Sequence, residues 1–392
     1  DVGPICNDDL VSDVLTGVWA DLVGQEKAVG VLRRAAESQP GRSSHAMSHA
    51  WLITGPPGSG RSNAAKAFAA ALQCVDHGCG QCTALSGAHP DVTLVRTEAL
   101  SIGVDEVREL VRRAAMNPVH GCHQVVVVED ADRITERGAD ALLKAIEEPA
   151  PKTVWLLCAP TPEDVIVTIR SRCRRLHLAT PRDEAVADLL TRRDGIAPEV
   201  AAEAARAGQG HIGRARRLAW DEEARARRNA IGELPTRLRS LGDCLQAAED
   251  LVNQASEEAA AATAEVNAAE RAELKKALGF GSSGARPRNA QSALRDLEKQ
   301  QSARLKRLQR DALDRVLTEL TAYHRDVLAI QTGAVRPEEE NALRGARLVN
   351  AGWSASLHRI ADSQSPEHTV ATIDAILAAR KSLEYMGLEP GT

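Results

Sequence analysis

One short segment constrains the fold of this chain more than any other. It is a glycine-rich loop, Gly55-Pro56-Pro57-Gly58-Ser59-Gly60-Arg61-Ser62, between a run typical of a strand (His49 to Thr54) and a run typical of a helix (Ala64 to Leu72). A glycine-rich turn from a strand into a helix brings backbone N–H groups to a helix N-terminus, where they bind phosphate. The segment predicts a phosphate loop in an α/β domain, and the alternative is a Gly-Pro turn that only caps a helix.

The loop and its partner strand both depart from an active nucleotide site. The pattern G-x-x-x-x-G-K-[ST] has Lys where Arg61 stands, and the planar guanidinium of Arg does not substitute freely for an ammonium. The apolar strand Val125 to Val128 ends in Glu129-Asp130, whereas a Mg²⁺ site of this kind uses Asp followed by Glu. We predict a degenerate ATP/Mg²⁺ site made of Gly55, Gly58, Gly60, Arg61, Ser62, Glu129 and Asp130.

Hydrophobic patterning divides the chain into an α/β part and a helical part. Up to residue 180, continuous apolar runs alternate with helical patterns, which predicts a parallel sheet covered on both faces. After Pro181 the strand signals stop. We predict a flexible leader over 1–16, the α/β domain over 17–180, a small helical lid over 181–234 and an all-α domain over 235–392, with a flexible linker near 279–289. For the long C-terminal helices, weak heptad order favours a helical bundle over a coiled coil.

Composition excludes several function classes. Lys plus Arg is 49 and Asp plus Glu is 54, a net charge of −5, so the chain is a poor candidate for coating nucleic acid by bulk charge. Aromatic residues are 2%, too few for a surface that stacks successive bases. The clusters Arg214 to Arg228 and Arg304 to Arg310 favour solvated helix faces over direct DNA contact. No apolar run approaches the roughly 20 residues that a membrane span needs, and eight cysteines are too few for a disulfide scaffold, so we expect a cytoplasmic protein.

Four strings together resemble the δ′ subunit family of bacterial DNA polymerase III clamp loaders, in the AAA+ superfamily. They are the opening Val23-Gly24-Gln25, the helix end Leu142-Leu143-Lys144-Ala145-Ile146-Glu147-Glu148-Pro149, the SRC motif Ser171-Arg172-Cys173 and the second-domain motif Gly210-His211-Ile212-Gly213-Arg214-Ala215. The resemblance implies an AAA+ P-loop NTPase-like domain, a helical lid and a helical collar. In the last motif Gly213 stands where active clamp-loader ATPases have an arginine, a third departure from an active site.

The resemblance also implies a function and partners. Arg172 would act as an arginine finger in trans, in the ATP site of a neighbouring subunit, where it neutralises charge on the transferred phosphoryl group. The implied partners are γ/τ and δ subunits in a pentameric ring, the sliding clamp, and primer–template DNA through the assembled complex of the polymerase holoenzyme. Two alternatives stay open: Arg172 forms only a surface salt bridge, or the chain is an active AAA+ motor ATPase of the γ/τ or helicase type. Whether the chain alone is an enzyme therefore stays open.

A cysteine cluster follows the first helix of the α/β domain. Cys79-Gly80-Gln81-Cys82 has the spacing of a zinc knuckle, and Cys74 precedes it. The family pattern has four cysteines, and here Leu85 stands where the fourth falls. We predict a structural Zn²⁺ held in the loop 74–85 by Cys74, Cys79, Cys82 and His77, with His89 as a further candidate. The alternative is three free thiols in a loop that has lost its metal.

Overall fold

The computed structural model describes residues 15–38, 47–74, 79, 89–97, 101–278, 290–335 and 348–385. The chain divides into two compact units, residues 1–97 with 101–216 and residues 98–100 with 217–392. The leader over 1–16 falls almost entirely, and the linker near 279–289 entirely, outside the described residues. The division into α/β, lid and collar domains stays a prediction. Within the described part of the chain, no helix combines the length and apolarity that crossing a membrane requires.

The first unit is built on a parallel sheet with strand order β2-β3-β4-β1-β5. The strands are β1 (Ala50–Thr54), β2 (Val92–Val95), β3 (Gln124–Val128), β4 (Thr153–Ala159) and β5 (Arg174–His177). Every residue of β1, β3 and β4 is buried, because helices cover both faces of the sheet. The predicted parallel α/β fold is confirmed. The edge strand β5 was not predicted, because its sequence RRLH has no continuous apolar run.

Alternate residues of the strands face the two helical layers of this unit. Trp51 faces α1 (Glu26–Ala36) and α2 (Arg61–Gln73), and it meets Phe68 edge to face, with ring centroids 5.3 Å apart. Leu52 faces α3 (Val104–Ala114) and α4 (Glu136–Glu147) on the other side of the sheet. Beyond the sheet, α6 ends before Gly195, and α7 begins at Pro198, as the breaks in the sequence predict. The helices are α1 (Glu26–Ala36), α2 (Arg61–Gln73), α3 (Val104–Ala114), α4 (Glu136–Glu147), α5 (Val167–Arg170), α6 (Asp183–Asp194), α7 (Pro198–Gly208) and α8 (Ile212–Trp220), with the unit boundary inside α8.

The second unit is helical throughout its described residues. Its further helices are α9 (Glu222–Arg237), α10 (Leu241–Ala277), α11 (Ala290–Gln331), α12 (Ser354–Ser363) and α13 (Pro366–Tyr385). α10 and α11 form an antiparallel pair, in which Gln309 bonds Ser256 at 2.8 Å and Arg304 bonds Asn267 at 2.7 Å. The rest of α11 packs against α9, α12 and α13. Pro235 lies inside the last turn of α9, so the predicted boundary at 234/235 falls within a helix.

A buried polar network holds the globular end of the second unit together. The Arg228 Nε atom lies 3.3 Å from Glu319 Oε2, and the guanidinium also donates to the side-chain oxygen of Asn350. The same guanidinium stacks 4.4 Å from the ring centroid of Trp353. Asp326 accepts the backbone N–H of Asn350 at 2.8 Å and its side-chain amide at 2.9 Å. One arginine of α9 is thereby tied to α11 and to the segment before α12.

His324 in α11 makes the second unit sensitive to acid. Its side chain is 8% exposed, and burial, with the nearby His368, lowers its pKa from 6.5 to about 4. The unfolded chain takes up a proton near pH 6.5 and the folded chain does not. Stability is therefore full above that pH and falls as the pH decreases toward 4, by about 3 kcal/mol from this group. We expect urea midpoints of the wild type to fall more steeply between pH 7 and 4.5 than those of His324→Leu. Parallel pH profiles would contradict this assignment.

Candidate functional site

The glycine-rich loop lies where the prediction places it, at the carboxyl end of β1 and the start of α2. Gly58 and Gly60 have φ angles of +82° and +91°, in the left-handed region that glycine adopts without strain. Because β1, β3 and β4 are parallel, their carboxyl ends meet at one edge of the sheet. Glu129 and Asp130 follow β3 at this same edge. The structure therefore brings the two halves of the predicted degenerate site together.

The Arg61 side chain forms a hydrogen bond within its own loop. Its Nη1 atom donates a hydrogen bond to the carbonyl oxygen of Gly55 at 2.8 Å, so the guanidinium turns back across the loop that it closes. A phosphate-loop lysine instead extends toward the β- and γ-phosphates. Ser62 lies half-buried in the first turn of α2. In this arrangement one Arg61 N–H links the first residue of α2 to the first residue of the loop.

The carboxylates at the end of β3 are matched by basic side chains of the same unit. The Lys66 ammonium on α2 lies 2.7 Å from Glu129 Oε1, and the Glu129 side chain is 9% exposed. Asp130 lies 3.8 Å from Arg133. Burial raises the pKa of the next carboxyl, Asp132, so this group does not behave as a fully solvated side chain. The charge of Glu129, at the position where a Mg²⁺-binding Asp is expected, is thus balanced by a protein cation.

His211 packs directly against the phosphate loop. A Cβ atom built on Gly58 would lie 2.2 Å from Cγ of His211, so no larger residue fits at position 58 with the ring in this place. The Ile212 N–H points to the carbonyl oxygen of Gly58 at 3.4 Å. The His211 Nδ1 atom accepts the backbone N–H of Arg214 at 3.1 Å, and burial together with Arg214 lowers its pKa, so the ring is neutral at pH 7. Gly213, at the expected arginine position, is exposed and brings no side chain to the loop.

Arg172 lies away from this loop, on the surface between α5 and β5. Its Nη2 atom is 2.6 Å from Glu147 Oε1 at the end of α4, and Nη1 donates to the Thr168 carbonyl oxygen at 2.8 Å. The side chain is 39% exposed. In the same motif Ser171 is exposed and bonds Thr168, whereas Cys173 is half-buried and burial raises its pKa to about 12. Of the three residues, Arg172 is the one whose charge is accessible at the surface.

Two of the predicted metal ligands lie close together. The Sγ atoms of Cys74 and Cys79 are 3.5 Å apart, near the separation of about 3.8 Å that two thiolates have on one tetrahedral Zn²⁺. His77 and Cys82 lie outside the described residues. Among the residues that the structure covers, no group of three or more His, Cys, Asp or Glu side chains is arranged to hold a metal ion. The described pair fits half of a zinc site.

With this geometry established, comparison with known proteins shows what the first unit resembles. Residues 24–182 match the family described as DNA polymerase III, delta subunit. DNA polymerase III subunit delta′ of Pseudomonas aeruginosa is 38% identical over 159 residues, which are 38% of this chain and 47% of the relative. Residues 24–182 are therefore similar in sequence to subunits of bacterial DNA polymerase III.

The family includes subunits of more than one kind. DNA polymerase III subunit gamma/tau of Mycobacterium tuberculosis is 34% identical over 175 residues, which are 42% of this chain and 29% of the relative. The chain spans less than half the length of the curated relatives it matches. A DNA polymerase III gamma subunit-related protein of Thermotoga maritima is a structural neighbour with 16% identity and a TM-score of 0.37, over 91% of this chain and 99% of that chain.

In the first unit, the opening motif Val23-Gly24-Gln25 has a structural role that its sequence did not reveal. The Gln25 side chain, 3% exposed, donates to the carbonyl oxygen of Ala179 at 2.7 Å and accepts the N–H of the same residue at 3.1 Å. The segment after β5 is thereby fastened to the start of α1. No local periodicity predicts this contact, because the two residues are 154 positions apart.

Asp91 is a second residue that sequence reasoning missed. Its carboxylate, 1% exposed, accepts three backbone N–H groups, from Val119 at 2.6 Å, His120 at 2.8 Å and Gly121 at 2.6 Å. Burial by itself would raise the pKa of this carboxyl, but the three donors lower it below 3.8. Asp91 therefore anchors the loop that leads into β3. In the sequence, the only local feature that marks Asp91 is its position after Pro90 and directly before β2.

Several arginines of the basic cluster Arg214 to Arg228 form ion pairs with acidic side chains. Arg216 contacts Asp194 within the first unit. In the second unit Arg217 contacts Glu258, Arg227 contacts Glu223, and Arg228 contacts Glu319. Arg216, Arg217 and Arg227 keep partly exposed side chains, as the predicted solvated helix faces require, whereas Arg228 is 11% exposed and departs from that prediction. Each pair reduces the charge that is open to a DNA backbone.

Proposed function

We propose that this chain is a non-hydrolysing clamp-loader subunit that supplies Arg172 in trans to the ATP site of a neighbouring subunit. The observation that carries the proposal is the hydrogen bond from Arg61 to the Gly55 carbonyl oxygen. With Arg61 turned onto its own loop and Glu129 paired with Lys66, these residues do not fit Mg²⁺-ATP, and no catalytic step is assigned to them.

The surface position of Arg172 supports the second half of the proposal. An arginine finger must be accessible and must leave its resting partner at low cost. The pair Arg172–Glu147 lies at the surface, with side chains 39% and 41% exposed, and such pairs contribute about 0–1 kcal/mol. The proposed partners are γ/τ-type and δ subunits in a pentameric ring, the sliding clamp, and primer–template DNA held by the whole complex.

An active motor ATPase is the second candidate, and one observation favours it. The gamma/tau relative is 34% identical and the delta′ relative 38% identical over similar lengths, so identity alone separates the two subunit kinds weakly. Arg61, the Glu129-Asp130 order and Gly213 weigh against it, because each removes a group that hydrolysis requires.

Turnover of ATP by the isolated chain distinguishes the two candidates. We expect no ATPase activity above background for the wild type, and none for Arg61→Ala, because Arg61 does not serve a bound nucleotide. Arg113→Ala is the matched control, since Arg113 lies in a surface pair with Glu109 on α3. Turnover that is lost in Arg61→Ala and kept in Arg113→Ala would support the motor ATPase instead.

A structural Zn²⁺ is part of the proposal. Cys74 and Cys79 would hold the ion, with Cys82 and His77 completing four ligands, and the ion would order the loop after α2. We expect close to one equivalent of zinc after desalting, and a lower melting temperature after chelation, since metal binding is coupled to folding. Cys79→Ser should lose the metal, whereas the control Cys244→Ser, at an exposed cysteine of α10, should keep it. Less than about half an equivalent with an unchanged melting temperature would favour three free thiols.

A further inference from the structure

The first three turns of α10 carry an uncovered apolar face. Leu241, Leu245 and Val252 are 76%, 64% and 44% exposed, although apolar side chains of this size are usually buried. They precede Ala259 by 18, 14 and 7 residues, each close to a whole number of helical turns. They therefore share one side of α10 with Ala259, which is 2% exposed. We call Leu241, Leu245 and Val252 the α10 stripe.

The covered part of α10 shows what kind of helix this side accepts. Ala255, Ala259 and Thr263 are buried in the half of α10 that pairs with α11. Across that pairing α11 places basic groups on acidic groups of α10, Arg304 against Glu270 at 2.7 Å and Arg315 against Glu258 at 2.8 Å. Further along, α11 packs against α12 and α13. Among the residues that the structure describes, no element shields the same side of α10 over the stripe, whose three side chains are exposed.

Along α10 itself the charge next to the stripe is acidic, and Arg239 is the exposed basic residue directly before it. Between Arg239 and Arg271 the sequence has seven acidic residues and no Lys or Arg. Next to the stripe, Glu249 and Asp250 are exposed. Such a surface repels nucleic acid and anionic lipid, and it opposes the pairing of two copies of the stripe, which would bring like charges together. It complements a positively charged partner.

The stripe is also held in a helical conformation before any partner binds. Ser240 caps α10 by accepting the N–H of Asp243 at 3.2 Å, while the Asp243 carboxylate accepts the N–H of Ser240 at 2.8 Å. A preformed helix loses little conformational entropy on docking, which favours a defined interface.

We infer that the α10 stripe is a docking surface for a basic amphipathic helix of another protein. The partner helix lies along α10 next to the stripe, in line with the position that α11 occupies further along α10. Its apolar side covers Leu241, Leu245 and Val252, and its Lys or Arg side chains pair with Glu249 and Asp250. This inference does not depend on the proposed clamp-loader function, because it rests on the second unit alone.

The test uses the full chain and a fluorescent helical peptide of leucine and lysine, with leucines at i, i+3, i+4 and i+7 spacing. A second peptide has glutamate in place of lysine. We expect anisotropy titrations to show binding of the lysine peptide that weakens with salt, and no binding of the glutamate peptide. The double variant Leu241→Gln/Leu245→Gln should bind at least about tenfold more weakly. The matched control Val370→Gln/Leu377→Gln, at exposed positions of α13, should bind as the wild type does.

Three results would overturn the inference. One is equal binding of the lysine peptide by the wild type and by Leu241→Gln/Leu245→Gln, with circular dichroism showing both folded. Another is equal binding of the two peptides, because the acidic surroundings would then select nothing. The third is a dimer in sedimentation equilibrium that Leu241→Gln/Leu245→Gln dissociates, since the occupant would then be a second copy of this chain. Charge reversal by Glu249→Lys/Asp250→Lys should abolish the salt dependence, and an unchanged salt dependence also counts against the inference.

Discussion

Replacing Arg172 with alanine is expected to leave a reconstituted clamp loader assembled and to slow ATP hydrolysis at one neighbouring site by roughly 10³-fold or more. The reason is electrostatic. In the proposed trans role, the Arg172 guanidinium neutralises charge that develops on the phosphoryl oxygens in the transition state. Assembly should persist because the Arg172 side chain lies at the surface, and within the described residues it bonds the neighbouring Glu147, Thr168 and Ser171 rather than a core element.

Single-turnover hydrolysis in the complex, with and without primed DNA, measures this effect directly. Arg175→Ala is the matched control, since Arg175 is an exposed arginine three residues further along the same surface segment. Arg172→Lys should restore only part of the rate, because an ammonium keeps the charge and loses the planar fork. Wild-type hydrolysis by an intact complex containing Arg172→Ala would remove Arg172 from the mechanism and leave its pair with Glu147 as a surface salt bridge.

Replacing Arg228 with alanine is expected to destabilise the second unit by about 3–5 kcal/mol. Arg228 and Glu319 have side chains that are 11% and 5% exposed, so removing the guanidinium leaves a carboxylate in a buried site without its main partner. The substitution also removes the hydrogen bond to Asn350 and the stacking on Trp353. The large effect thus comes from the stranded charge together with lost packing.

The neighbouring residue gives the control for this experiment. Arg227 pairs with Glu223 and Asp221, and its partner Glu223 is 85% exposed, so Arg227→Ala should cost no more than about 1 kcal/mol. Urea unfolding followed by circular dichroism compares the two variants. Replacing the pair together, as Arg228→Met/Glu319→Leu, should recover much of the lost stability, because no unpaired charge stays buried. Equal midpoints for Arg228→Ala and Arg227→Ala would show that the buried network contributes little.

The strands of the first unit show which elements a local sequence pattern predicts and which it misses. β1 and β3 lie within one residue of the predicted runs His49 to Thr54 and Val125 to Val128, because a strand buried on both faces is a continuous apolar run. The short edge strand β5 was missed because its outer side faces solvent and its sequence is polar. The breaks at Gly195 and Pro198 were predicted because those residues act on their own backbone.

The features of the candidate site also separate into those that the sequence reveals and those that only the structure reveals. The departures at Arg61 and Glu129-Asp130 are visible in the sequence, since a motif is a local string. The direction of the Arg61 side chain is not visible, and neither are the pairing of Lys66 with Glu129 or the packing of His211 on Gly58. The partners in the last two contacts are 63 and 153 positions apart, and only the folded sheet and the helices beyond it bring them together.

By itself the sequence determined the glycine-rich loop between a strand and a helix, the parallel α/β architecture, the helical remainder, and the departures from a phosphate-loop pattern at Arg61 and Glu129-Asp130. Each of these depends on backbone preference or on a string of neighbouring residues. The tertiary structure alone decided that Arg61 closes its own loop, that Asp91 anchors three amides, that Arg228 is buried beside Glu319, and that one side of α10 is left open. These are contacts between distant residues, and their existence depends on how complete elements pack, which no local pattern encodes.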